Sequence, residues 1–145
     1  MSKSNAFETA FLSLIFENSN IANLGDATGV RGSTTAGSLY FSLHTSDPGE
    51  AGSQTTNEIA YTSYARVAVA RSSSGWTVSG NAVSVDAAVT FPAGTGGSGT
   101  ATHWGLGTDS SGAGTLLYKG SISPTIVCGS GVTPQLAAGS VVSED

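Results

Sequence analysis

Few residues in this chain could do chemistry. His44, His103, the single cysteine Cys128 and a large number of serines are the candidates for nucleophilic catalysis. A hydrolytic site needs a serine or thiol beside an imidazole that a third group orients. Serine is so abundant here that nearness to a histidine selects nothing, and no G-x-S-x-G segment marks a strained nucleophile turn. His44 is followed by Thr45, Ser46 and Asp47, so a turn-stabilising hydrogen bond from its ring to Asp47 is expected. His103 adjoins Trp104 in a strand-like segment. Both histidines read as structural. A lone Cys128 makes neither a disulfide framework nor a zinc knuckle, and it reads as a small buried apolar residue.

Three carboxylates, Asp47, Glu50 and Glu58, share one loop region, where backbone carbonyls would be needed to complete a calcium shell. Their spacing is not that of an EF-hand. The run GTGGSG at 94–99 lacks the Lys-Ser/Thr step of a phosphate loop, and no helical pattern follows it to offer a positive N-terminus. It reads as a turn. Trp76, Trp104, Tyr40, Tyr61, Tyr64 and Tyr118 are spread over different segments, where a β-rich core needs large side chains. No catalytic residue, cofactor or metal site is therefore expected, and the chain is not expected to be an enzyme.

The elements that would carry these residues are short strands and one helix. Asn5 and Glu8 have capping-box spacing, and Phe7, Ala10, Phe11, Leu14 and Ile15 recur at helical intervals, which predicts a helix over 5–17. Its stripe fits either the domain's own sheet or a neighbouring subunit. Residues 24–38 form a long Gly-rich polar loop with one basic residue, Arg31. From Leu39 onward strands follow one another: 39–44, 64–71, 76–80, 81–85, 88–91, 102–107, 115–121, 125–129, 133–139 and 141–143. Ser46-Asp47-Pro48-Gly49 is a turn with Pro presetting the first corner and Gly accepting positive φ at the second. The spacing predicts a mainly β chain, an antiparallel β-sandwich or barrel-like domain with one N-terminal α-helix. The expected division is a helical segment at 1–23, a flexible loop at 24–38 and a β-sandwich domain at 39–145.

Composition agrees. Glycine, serine and threonine make up about two-fifths of the 145 residues, while only 10% are charged, which suits strands and small-residue turns better than a helical bundle. A net charge of −5 with five basic residues supplies no cluster to neutralise phosphates, so no nucleic-acid partner is expected. No apolar run approaches the length of a membrane span, and the N-terminal apolar residues are interrupted by Glu8, Ser13 and Glu17, so no signal peptide is expected.

One family pattern runs through most of the chain. After the amphipathic SNAFETAFLSLIF come Leu43-His44-Thr45, Asp47-Pro48-Gly49, Tyr64-Ala65-Arg66, Phe91-Pro92, Thr102-His103-Trp104 and Leu116-Leu117. This order resembles a small virion protein of tailed phages, of the kind usually catalogued as tail fibre or minor tail protein. The resemblance implies a non-enzymatic virion protein, assembled in the host cytoplasm, whose partners are other capsid or tail subunits. No repeating shaft is visible, which points to a capsid decoration or a small tail appendage rather than a fibre shaft. The alternative is a tail-tip module that binds a host receptor or surface glycan. Phe7, Phe11, Leu14, Arg31 and Arg66 are the expected interface residues, and a homo-oligomer, a trimer, is the expected state. Arg66, mid-strand in YARVAVAR and facing away from Val67 and Val69, is expected in a buried or interface ion pair.

Overall fold

A computed structural model describes residues 2–25, 29–139 and 141–144. Among the described residues the chain is mainly β, with antiparallel sheets and one helix. Helix α1 spans Asn5–Phe16. Nine strands follow: β1 Ser38–His44, β2 Val67–Ala70, β3 Trp76–Ser79, β4 Ala82–Val85, β5 Val89–Thr90, β6 Ser98–Gly107, β7 Leu116–Gly129, β8 Gln135–Leu136 and β9 Val141–Ser143.

Contacts group the chain into two compact units, each assembled from separated stretches of sequence. One takes the described residues of Met1–Ser38, Ala70–Ala88 and Ala137–Asp145, the other Leu39–Val69 and Val89–Leu136.

The first unit packs α1 on the sheet β3-β4-β9. Alternation in β4 buries Val83 and Val85, and Trp76 opens β3 as a buried ring. Leu12 and Phe16 of α1 complete this core, with the Phe16 ring set edge-on to Trp76 at 4.8 Å between centroids. Each such buried side chain contributes roughly 1.5–3 kcal/mol. The two ends of the described chain meet here: Lys3 pairs with Glu144 at 2.7 Å, and Asn81 binds the backbone of Glu144 through both main chain and side chain.

The second unit holds the sheet β2-β1-β6-β7 and the pair β5-β8. In β1–β6, Leu43 faces Trp104 and Phe41 faces Leu106, while His44 faces His103 on the opposite surface of the sheet. The expected strands at 115–121 and 125–129 are one strand, β7. Its register slips between Ala101↔Ile126 and His103↔Ser121, so residues 122–125 bulge opposite Thr102. That bulge bears Pro124, which interrupts the outer edge of a 14-residue edge strand. The 92–99 segment is pinned as well, through bridges from Thr62 to Gly96 and from Gly94 to Ser130.

Candidate functional site

The helix begins one residue earlier than its capping pattern predicts. Ser4, in extended geometry, is the N-cap; its hydroxyl accepts from Phe7 N at 3.4 Å and its carbonyl accepts from Phe7 N and Glu8 N. Asn5 is the first helical residue, which moves Glu8 out of the position that would reach back to the cap. Glu8 is buried on the inner face with Leu12 and Phe16. The correction matters because it sets the rotation of the helix. The row 8, 12, 16 faces the core, and the row Phe7, Phe11, Leu14 is turned aside from it. Phe7 is 38% exposed and its ring lies 6.3 Å from that of Phe11, which is half-buried along with Leu14. A 12-residue helix with apolar rows on two faces has used only one of them in its own core.

The other end of α1 is held by a residue that sequence reasoning did not single out. Arg71 donates from Nε to the Ile15 carbonyl at 2.6 Å and from one terminal nitrogen to the Leu14 carbonyl at 2.7 Å. These are carbonyls of the last helical turn, which lack partners within the helix and carry the negative end of its dipole. The remaining nitrogen reaches Ala36 O at 3.1 Å and Ser33 Oγ at 3.3 Å. Asn18 pairs with the backbone of Ser33 through both atoms of its amide, at 2.6 and 2.8 Å, Asn20 accepts from Gly32 N, and Ile21 bridges Val30. Chain-internal bonds therefore hold the described flanks of the 24–38 segment, and its residues 26–28 lie outside the described residues. Leu24 is 48% exposed, Val30 39%, and Arg31 is exposed.

Arg66 stands in a different setting. Its side chain is 2% exposed and pairs with Glu58 through two bonds of 2.7 Å. The same guanidinium donates to Asp109 O at 2.9 Å and Gly112 O at 2.7 Å, tying down the turn between β6 and β7. Tyr64 donates its hydroxyl to Glu58 and accepts from Leu43 N, and burial raises its pKa. Glu58 raises that of Arg66. The predicted ion pair exists, and its partner is eight residues upstream in sequence.

The acidic loop is organised around a side-chain cation. Lys119 Nζ lies 3.1 Å from Asp47 and 3.1 Å from Glu50, while Glu58 is committed to Arg66. Asp47 is held below the ordinary carboxylate value by Gly49 N–H and then by Lys119. Among the described residues no cluster of three His, Cys, Asp or Glu is placed to hold a metal. A shallow groove of about 250 Å³ runs beside this cluster, lined by Gly49, Glu50, Gly52 and residues 116–119.

His44 does not bond to Asp47. Its Nδ1 lies 2.8 Å from the Thr56 carbonyl and its Nε2 2.8 Å from Ser42 Oγ. A carbonyl only accepts, so Nδ1 carries the proton and Nε2 accepts from the serine hydroxyl. This is a serine–imidazole pair with an oriented base, but both residues have no exposed surface. Their spacing of two along a strand, opposite Gly105 on β6, is the signal that could have found them. Trp76 lies in the core of the first unit and Tyr61 is buried with its hydroxyl on Pro92 O, while Trp104 is half-buried against Phe41 and lies over Gly120.

The first unit thus presents an outer apolar helix row and a loop tied down through Arg71, and the second, by itself, an Arg66 clamp. Comparison with curated proteins finds no match. A family model described as Podophage GP4 fiber I protein gp80 matches residues 3–144, and the chain accordingly belongs to this phage tail fibre-type family and is a structural component of the virion.

Proposed function

We propose that the protein is a non-enzymatic accessory module of the phage particle, a capsid decoration or a small tail appendage, that attaches to other virion subunits as a homo-oligomer, a trimer. The attachment surface is the outer row of α1 (Phe7, Phe11, Leu14) with the neighbouring 24–38 segment and its Arg31. The observation that supports this reading is the helix: its core row is already filled by Leu12 and Phe16, yet a second apolar row runs from exposed Phe7 to half-buried Phe11 and Leu14. Exposed apolar patches on a stable unit mark contacts.

The test is the double variant Phe7→Ser/Phe11→Ser. Binding to purified particles and self-association in sedimentation should both weaken, while far-UV circular dichroism keeps its β signal. Loss of all tertiary structure would make the row ordinary core and remove the proposal. Undiminished particle binding would move the contact to the loops of the second unit and favour recognition of a host surface glycan.

A further inference from the structure

The 45–58 segment lies against one face of the sheet through polar contacts. Beneath it Ser42 and His44 of β1 have no exposed surface, and neither has Gln54, which the segment itself turns inward. The opposing strand carries only glycines at 105 and 107. A β-carbon at Gly105 would stand 2.6 Å from His44 Nε2 and 2.7 Å from Ser42 Oγ, and one at Gly107 would stand 2.3 Å from Gln54 Cδ. Gly105 thus leaves room for the Ser42–His44 pair, and Gly107 leaves room for the Gln54 side chain of the segment. Hydrogen bonds tie it down: His44 Nδ1 to Thr56 O, Gln54 N to Ala113 O and, at the residue that follows it, Ile59 N to Leu43 O, while Thr45 N to Asn57 O closes the segment on itself, all between 2.8 and 2.9 Å. Such bonds are modest in net value and sensitive to a change in either partner. Of the groups at these contacts, the imidazole is the one that titrates near neutrality.

We propose that residues 45–58 form an acid-sensitive latch: the neutral His44 ring, held between Ser42 Oγ and the Thr56 carbonyl, keeps the segment closed on the sheet, and protonation of that ring opens it. A proton added at Nε2 points at Ser42 Oγ, which must then accept and turn its own hydrogen elsewhere in a dry site. The groups facing His44 are Glu58 from the end of the segment, Arg66 beyond it and His103 across the β1–β6 ladder. Glu58 favours the charged ring, while Arg66 and His103 oppose it, and Glu58 is already bonded twice to Arg66. Burial is the largest influence and holds the ring below its ordinary value near 6.5. The closed form thus binds the proton more weakly than the open form. Closure is fully favoured above the ordinary value and is lost as pH falls from it toward the closed-state value. Each unit between the two values shifts the opening equilibrium by about tenfold.

Amide hydrogen exchange on the full chain, followed from about pH 7.5 to about pH 4.5 and corrected for intrinsic rates, tests this. Protection of Thr45, Gln54 and Ile59 should fall, about tenfold for each unit by which the closed-state value lies below the ordinary one, while strands β3 and β4 keep theirs. The His44 ring nitrogen resonances should titrate at the lower end of the pH window over which protection falls. His103→Gln should keep the step and His44→Gln should abolish it. If His44→Gln fails to fold, the match between ring titration and the lower end of that window in the natural chain decides alone. Constant protection at the three amides, loss in parallel with β3 and β4, or protection that keeps falling well below the pH at which the His44 ring titrates would each overturn the latch.

Discussion

Arg66 and Arg71 lie five residues apart in one stretch of sequence, yet each anchors its own unit by different chemistry. In the second unit Arg66 is neutralised by a carboxylate: Glu58 takes two of its donors, and the rest fix the β6–β7 turn. In the first unit the donors of Arg71 reach the backbone carbonyls of Leu14, Ile15 and Ala36 and the Ser33 hydroxyl. The planar five-donor fork of a guanidinium serves both uses, where an ammonium would not. A cation with no carboxylate partner among the described residues is tolerated where a helix presents its negative end and a loop supplies further acceptors. A nearly dry cation in a sheet-side loop needs a formal counter-charge.

That contrast predicts a graded response. Arg66→Ala should be the most damaging change, costing about 3–5 kcal/mol, because it leaves the Glu58 carboxylate unpaired in a largely buried site. Chemical denaturation measures this, and a loss under about 1 kcal/mol would reduce the pair to a surface bridge. Arg66→Lys should fall between, since one ammonium cannot span two carboxylate oxygens and two carbonyls. Arg71→Met keeps the apolar stem and removes the donors. It should cost about 1.5–3 kcal/mol, with helical ellipticity lost before the β signal. If both signals decline together, Arg71 is not specifically a helix anchor. Lys119→Gln marks the low end. Its carboxylate partners Asp47 and Glu50 are solvent-exposed, so the melting temperature should stay at the natural value within error. A clear drop would show that exposed charges also hold the acidic loop, which would narrow the difference between surface and buried anchors.

Much of the fold was readable from local pattern. Alternation placed Leu39, Phe41 and Leu43 on one side of a strand and separated His103 from Trp104, and the structure keeps both assignments. The helix was readable from its apolar spacing, but its rotation was not. Ser4 and Asn5 are comparable caps, and only the packing of Leu12 and Phe16 against β3 and β4 distinguishes them. The sequence pattern of β7 divides into 115–121 and 125–129, whereas pairing with β6 resumes beyond the bulge and makes one strand.

What the sequence determined by itself was everything set by neighbours in the chain: the mainly β character, the single helix, the Asp47-Pro48-Gly49 turn with Gly49 at φ 74° and the place of Arg66 among buried charges. Tertiary structure decided the partners. Arg71 meets carbonyls 56 and 57 residues away, Lys119 meets a carboxylate 72 residues away, and Ser42 and His44 become an enclosed pair only when Gly105 and residue 56 close over them. The physical reason is that φ/ψ preference and side-chain period act over a few residues and are written locally. A hydrogen bond or ion pair between distant segments depends on which backbone groups the finished fold leaves unsatisfied, and that is fixed only when the sheets and helix have packed.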